Sequence, residues 1–178
     1  MSQISMTVIP PTLVSTEHED LLELAVHTPN GLLKRELNLM LTAAMANKQG
    51  PRDINKVLVI TTCQESKVEL LEWGAEPDRE KDRLLNSFVN FSNQFREEML
   101  RLGYWADYVD PASGLLTHST GQIVWPEVQS LERLRGYRTS KAGPCHILIH
   151  PVWGSKMYPA TLFTDAPLDE IKKALRLE

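Results

Sequence analysis

The chain has 178 residues, 42% hydrophobic and 24% charged, with a net charge of −4. That is enough for one domain with a sizeable core, and the acidic balance gives no basic face for nucleic acid. No apolar run is long enough to cross a bilayer, and two cysteines, Cys63 and Cys145, are too few for a disulfide framework, so a soluble protein of a reducing compartment is expected.

In chain order, residues 1–16 contain Pro10-Pro11 and lack helical periodicity, which predicts an extended N-terminal arm with one edge strand. Residues 17–178 are read as a single domain. Thr16 ahead of Glu17, Glu19 and Asp20 resembles a helix start, with Leu21, Leu22, Leu24, Ala25 and Val26 as its apolar stripe up to Pro29-Asn30-Gly31. A second helix follows, with Leu33, Leu37, Met40 and Leu41 on one face. Residues 47–52 form a polar loop. Residues 56–62 (KVLVITT) have the β-branched composition of a buried strand, and 68–73 are expected to continue or pair with it. The longest periodic element carries Leu84, Phe88, Phe91, Phe95, Met99 and Leu102 and stops at Gly103. Beyond it lie a strand over 104–109, a turn at 110–114, an amphipathic piece over 128–134, strands at 146–150 and 160–163, and a final helix with Leu168, Ile171 and Leu175 inward. This irregular alternation predicts an α+β fold with helices layered on a mainly antiparallel sheet.

Most candidate chemistry has a plain structural reading. Neither a phosphate-cradling glycine motif nor a nucleophile elbow occurs. His146 and His150, on a strand, stand about 13 Å apart, too far to share one ion, and no zinc spacing is present. Asp110 precedes Pro111 and sets a turn, and Asp107 is expected to face water. The aromatics around Trp105 and Trp153 suit core packing, with a partner interface as the functional alternative. Cys145 follows the turn-forming pair Gly143-Pro144 at the mouth of a strand and is expected to reach solvent more readily than Cys63, which ends an apolar strand.

Residues 103–115 (GYWADYVDPASGL) resemble the GYWADFIDPSSGL segment of the CblD family. Residues 143–154 (GPCHILIHPVWG) are similar to that family's glycine–cysteine–cysteine strand ending in His-x-x-Trp-Gly, and 162–166 (LFTDA) to its closing Ile-Phe-Thr-Asn-Ala. The three blocks keep their order over roughly residues 70–170. The resemblance implies a modified flavin-nitroreductase-like fold that has lost flavin, no catalytic turnover, and no cofactor or metal bound by the protein alone. It implies an adaptor in vitamin B12 trafficking that engages the CblC-type cobalamin-processing protein and helps route cobalamin to methionine synthase and methylmalonyl-CoA mutase. A family cysteine coordinates the cobalt of cobalamin shared with that partner. This makes Cys145 the candidate cobalt ligand, with Tyr104, Trp105, Asp107, Asp110 and Trp153 as interface candidates.

In the vertebrate members two cysteines are adjacent, and the first is credited with cobalt. That position falls on Pro144 here, and the second on Cys145. Either Cys145 takes the role through a small shift of the turn, which Gly143 favours, or the chain has no cobalt-ligating thiol. The competing readings are a residual flavin-dependent reductase and a homodimer assembled through the aromatic surface without contact to cobalamin. The first arginine is Arg35, and no secretory or mitochondrial leader pattern is visible, so a cytoplasmic location is expected, with a mitochondrial form only from a longer N-terminus.

Overall fold

The run Leu58-Val59-Ile60-Thr61-Thr62-Cys63 is β-branched and apolar on both alternating sides, as a strand covered on both faces must be. In a computed structural model, which describes residues 6–16 and 20–177, it is the middle of the main sheet. The described elements run β1 (Met6–Ser15), β2 (Leu21–Thr28), α1 (Gly31–Ala46), β3 (Leu58–Glu65), α2 (Ala75–Arg101), β4 (Ala106–Tyr108), α3 (Glu127–Arg135), β5 (Arg138–Ala142), β6 (Cys145–Ile149), β7 (Met157–Thr164) and α4 (Leu168–Leu175). Five strands form one sheet in the order β1-β2-β3-β7-β4, antiparallel at every pairing, while β5 and β6 form a separate two-stranded sheet. The protein is therefore α+β with a mainly antiparallel sheet.

Alternation assigns the two faces. Leu22, Leu24, Val26, Ile60, Ala160 and Leu162 pack with Phe88, Phe95 and Met99 of α2 and Ile171 of α4. Val59 and Phe163 pack on the other face beneath Leu33, Leu37, Met40 and Leu41 of α1 and Leu134 of α3. At 27 residues α2 is about 40 Å long. It stops as expected, with Gly103 at φ 86°. The Gly103 N–H donates to the Leu100 carbonyl and the Tyr104 N–H to the Met99 carbonyl, the paired closure that a left-handed residue after a helix permits.

Three expectations are corrected. The segment around Leu21–Val26 is strand β2; residues 17–19, expected in its first turn, lie outside the described residues. Leu22, Leu24 and Val26 also recur with a period of two, and pairing with β1 and β3 on both sides outweighs leucine's helical preference. Residues 68–73 make turns rather than a strand, leaving Trp73 fully exposed. No strand is expected between the amphipathic piece over 128–134 and the strand at 146–150, yet residues 138–142 form strand β5, whose exposed, charged composition hides the pairing with β6.

Helix α3 is held to the sheet by a buried polar contact. Its first-turn Glu127 accepts a hydrogen bond from the Thr161 hydroxyl of β7. Burial pushes this carboxyl up to about 7, against which the Thr161 bond works. A carboxyl whose folded pKa is raised favours the fold when protonated, so its contribution is full below about pH 4.5 and lost as pH rises through 7. Glu127→Gln is therefore expected to unfold in urea with on the order of 1 kcal/mol more stability than wild type at pH 8, the gap vanishing below pH 4.

Candidate functional site

Gly143 and Pro144 form the two-residue turn between β5 and β6. Gly143 adopts φ 59°, and the proline ring fixes the next φ negative, the sign pattern of a type II′ hairpin turn. Around this tip Ser140, Lys141, Cys145 and His146 are exposed, with His146 opposite Lys141 in the ladder. Cys145 thus reaches solvent as expected, whereas Cys63 is buried on β3. The hairpin meets the body at its other end. There Leu148 is buried with Cys63, Leu131, Tyr137 and Met157, and Trp153 packs alongside.

One carboxylate fastens both roots of the hairpin. Glu23 of β2 lies opposite Cys63 in the sheet register. Its Oε1 accepts from Arg135 Nη1 at 2.6 Å, the Tyr137 hydroxyl at 3.0 Å and His150 Nε2 at 3.1 Å. Tyr137 immediately precedes β5 and His150 immediately follows β6. The Val152 and Trp153 N–H groups donate to His150 Nδ1 at 3.1 and 3.2 Å, so the ring proton resides on Nε2 and points at Glu23. Trp153 stacks on the imidazole with centroids 4.1 Å apart, and Tyr137 meets it edge-on.

Arg135, the last residue of α3, has a side chain 1% exposed. Its Nε donates to the Thr61 hydroxyl at 2.7 Å, Nη2 to the Thr61 carbonyl at 2.9 Å, and Nη1 also to the Tyr137 oxygen at 3.0 Å. Burial works to raise the Glu23 pKa, but hydrogen bonds from His150, Tyr137 and Arg135 and the attraction of the guanidinium outweigh it, holding the carboxyl below its ordinary range. Desolvation, with the nearby guanidinium, lowers His27 to about 3, so this ring is neutral between Thr7 and Thr61. Desolvation pushes the Cys63 thiol up to about 12, leaving it protonated and poorly nucleophilic.

The interface candidates do not converge. Tyr104 packs against the α2 and α4 core, Trp105 against the opposite core, and Trp153 at the hairpin root. Asp107 is corrected: it is 1% exposed, and its carboxylate accepts the Tyr108 and His118 backbone N–H groups instead of facing water. Asp110 sets the expected turn, accepting from the Ala112 N–H and the Ser113 hydroxyl. The Trp105 N–H donates to Asp165, which also accepts from the Arg52 N–H. The aromatic-rich segment after Gly103 thus knits β4 to its neighbours, and Trp153 alone of these residues lies beside the hairpin.

Glu23, Arg135, Tyr137 and His150 as a unit escaped sequence reasoning. The available signal was Glu23 within LLELAVHT: as a strand, that run buries an acid that needs a partner. Among the described residues no group of three or more His, Cys, Asp or Glu side chains is placed to hold a metal ion, and no helix is long and apolar enough to cross a membrane.

The fold and site define a class: an antiparallel sheet covered by helices on both faces, with an exposed thiol carried on an appended hairpin. Residues 12–175 match the family model described as methylmalonic aciduria and homocystinuria type D protein, and the chain belongs to that family. Proteins named cobalamin trafficking protein CblD from Rattus norvegicus, Gallus gallus and Homo sapiens are each 28% identical to it over 149 residues, covering 83% of this chain and 47% of theirs. The chain spans about half the length of these curated relatives.

Removing the negative charge from Glu23 leaves the buried Arg135 cation uncompensated. Glu23→Gln is expected to lose about 3 kcal/mol of unfolding free energy at pH 7. Because the folded pKa of Glu23 is depressed, its contribution is present above about pH 4.5 and fades as pH falls through the folded value. Urea titrations of both proteins from pH 7 downward are expected to show the gap closing below that point.

Proposed function

We propose that this protein is an adaptor in cobalamin trafficking, without turnover of its own, that presents the Cys145 thiol to cobalamin carried by a CblC-type processing protein. Membership of the type D family supports the pathway. The observation that carries the chemistry is the contrast between its two thiols: Cys145 is exposed at a hairpin tip and Cys63 is enclosed in the core. A thiolate is a soft donor suited to cobalt, and a hairpin tip can enter a partner's cofactor cleft where a core residue cannot. Pro144 occupies the place of the family's first cysteine, so Cys145 is the thiol that takes the ligand role. Cobalamin is cargo in this reading, and the protein's own part is to offer one donor atom on a fixed support. Delivery to methionine synthase and methylmalonyl-CoA mutase, and a nitroreductase-like scaffold that has lost flavin, follow from the same family reading. Two free thiols suit a reducing compartment such as the cytosol.

Mixing the protein with cobalamin-loaded CblC-type protein is expected to produce a new thiolate–cobalt band in the visible spectrum. Cys145→Ala is expected to lose the band and Cys63→Ala to keep it. An equal band in wild type and Cys145→Ala would overturn the assignment.

A further inference from the structure

A two-stranded hairpin is marginal by itself in water, so the direction in which its tip points is decided where it is fastened. From the Arg138–Ile149 pair to the Ala142–Cys145 pair is four ladder steps, about 14 Å at strand rise. A rotation of about 10° at the root then sweeps the Cys145 end through about 2 Å, whereas a productive site must be held to about 0.5 Å. Both roots end on one atom, Glu23 Oε1, through Tyr137 on the entering side and His150 on the leaving side. Arg135 fixes that carboxylate against Thr61 of the central strand β3. Bonds from both sides of the root resist rotation in a way that burial of Leu148, which is non-directional, does not.

We propose that Glu23 is the positioning residue for Cys145: its carboxylate ties both hairpin roots to the sheet and thereby sets where the thiol is presented. This rests on the reading of Cys145 as the presented donor, and the test separates the two. Spin labels are attached to the 178-residue chain at Cys145 and at Glu97→Cys, an exposed position on α2. Cys63, buried and protonated, stays unlabelled. Pulsed electron–electron resonance then reads the spread of the distance between the labels. Wild type is expected to give one narrow distribution. Tyr137→Phe, which removes the Tyr137–Glu23 root bond and the Arg135 bond to the same oxygen while keeping the ring, and Glu23→Gln are both expected to broaden it at least about twofold, and in Tyr137→Phe amide exchange of β3 and β7 is expected to stay within about tenfold of wild type. With unlabelled protein, the thiolate–cobalt band on cobalamin-loaded CblC-type protein is expected to fall about tenfold or more in Tyr137→Phe, the consequence of a misplacement of an ångström or more.

Unchanged distance widths in Tyr137→Phe overturn the positioning role, whether or not Glu23→Gln folds. In Tyr137→Phe, a loss of β3 and β7 protection matching that of the hairpin also overturns it, since the effect is then general destabilisation. If the widths broaden as expected but wild type gives no band, the clamp stands and the cobalamin reading fails. If wild type gives a band that Tyr137→Phe retains in full, the cobalamin reading stands and the positioning role fails.

Discussion

The three donors converging on Glu23 Oε1 join parts of the chain that lie far apart in sequence. A strand of the main sheet, the C-terminal end of α3 and both roots of the β5–β6 hairpin meet at one carboxylate oxygen. The arrangement is self-consistent electrostatically. Arg135 supplies the opposite charge, Tyr137 relays a hydrogen bond from guanidinium to carboxylate, and His150 is held in the tautomer that donates. Each group would be costly to bury alone, so the set is held together by what any one member would lose without the others.

Buried ion pairs are weak contributors to net stability, because desolvation consumes most of the Coulombic gain. Their value lies in direction. A hydrophobic plug under α3 would hold the helix down equally well but would leave the hairpin free to swing. Thr61 shows the same logic from the sheet side: its hydroxyl and carbonyl both engage Arg135, fixing the guanidinium plane relative to β3. The sheet is the rigid reference, α3 carries the cation, and the hairpin takes its orientation from both.

The two cysteines illustrate how one residue type can be placed in opposite surroundings. Cys63 faces the same cluster that anchors the hairpin, and burial suppresses its ionisation. Cys145 is displaced from that environment by the length of the hairpin. The segment 103–115, the longest block of family likeness, proves to be mainly architectural: it stops α2, fastens β4 through Asp165 and buries Asp107 as a loop anchor. The distinctive sequence motif and the exposed thiol are here in different places.

Where one local period dominated, sequence alone was sufficient. The stripes of α1, α2 and α4, the β-branched run of β3, the turn at Asp110 and the exposure of Cys145 after Gly143-Pro144 follow from spacing and turn chemistry over a few residues. Tertiary structure decided the rest. The segment Leu21–Val26 satisfies both the helical and the strand period, and only its neighbours β1 and β3 make it a strand. Asp107 turns inward because the backbone of His118, eleven residues on, presents a donor. The clamp was illegible for the same reason on a larger scale, since Glu23 meets Arg135 across 112 residues and His150 across 127. No local pattern encodes such a meeting; it exists once the sheet has brought the strands together and burial has left these polar groups with one another as partners.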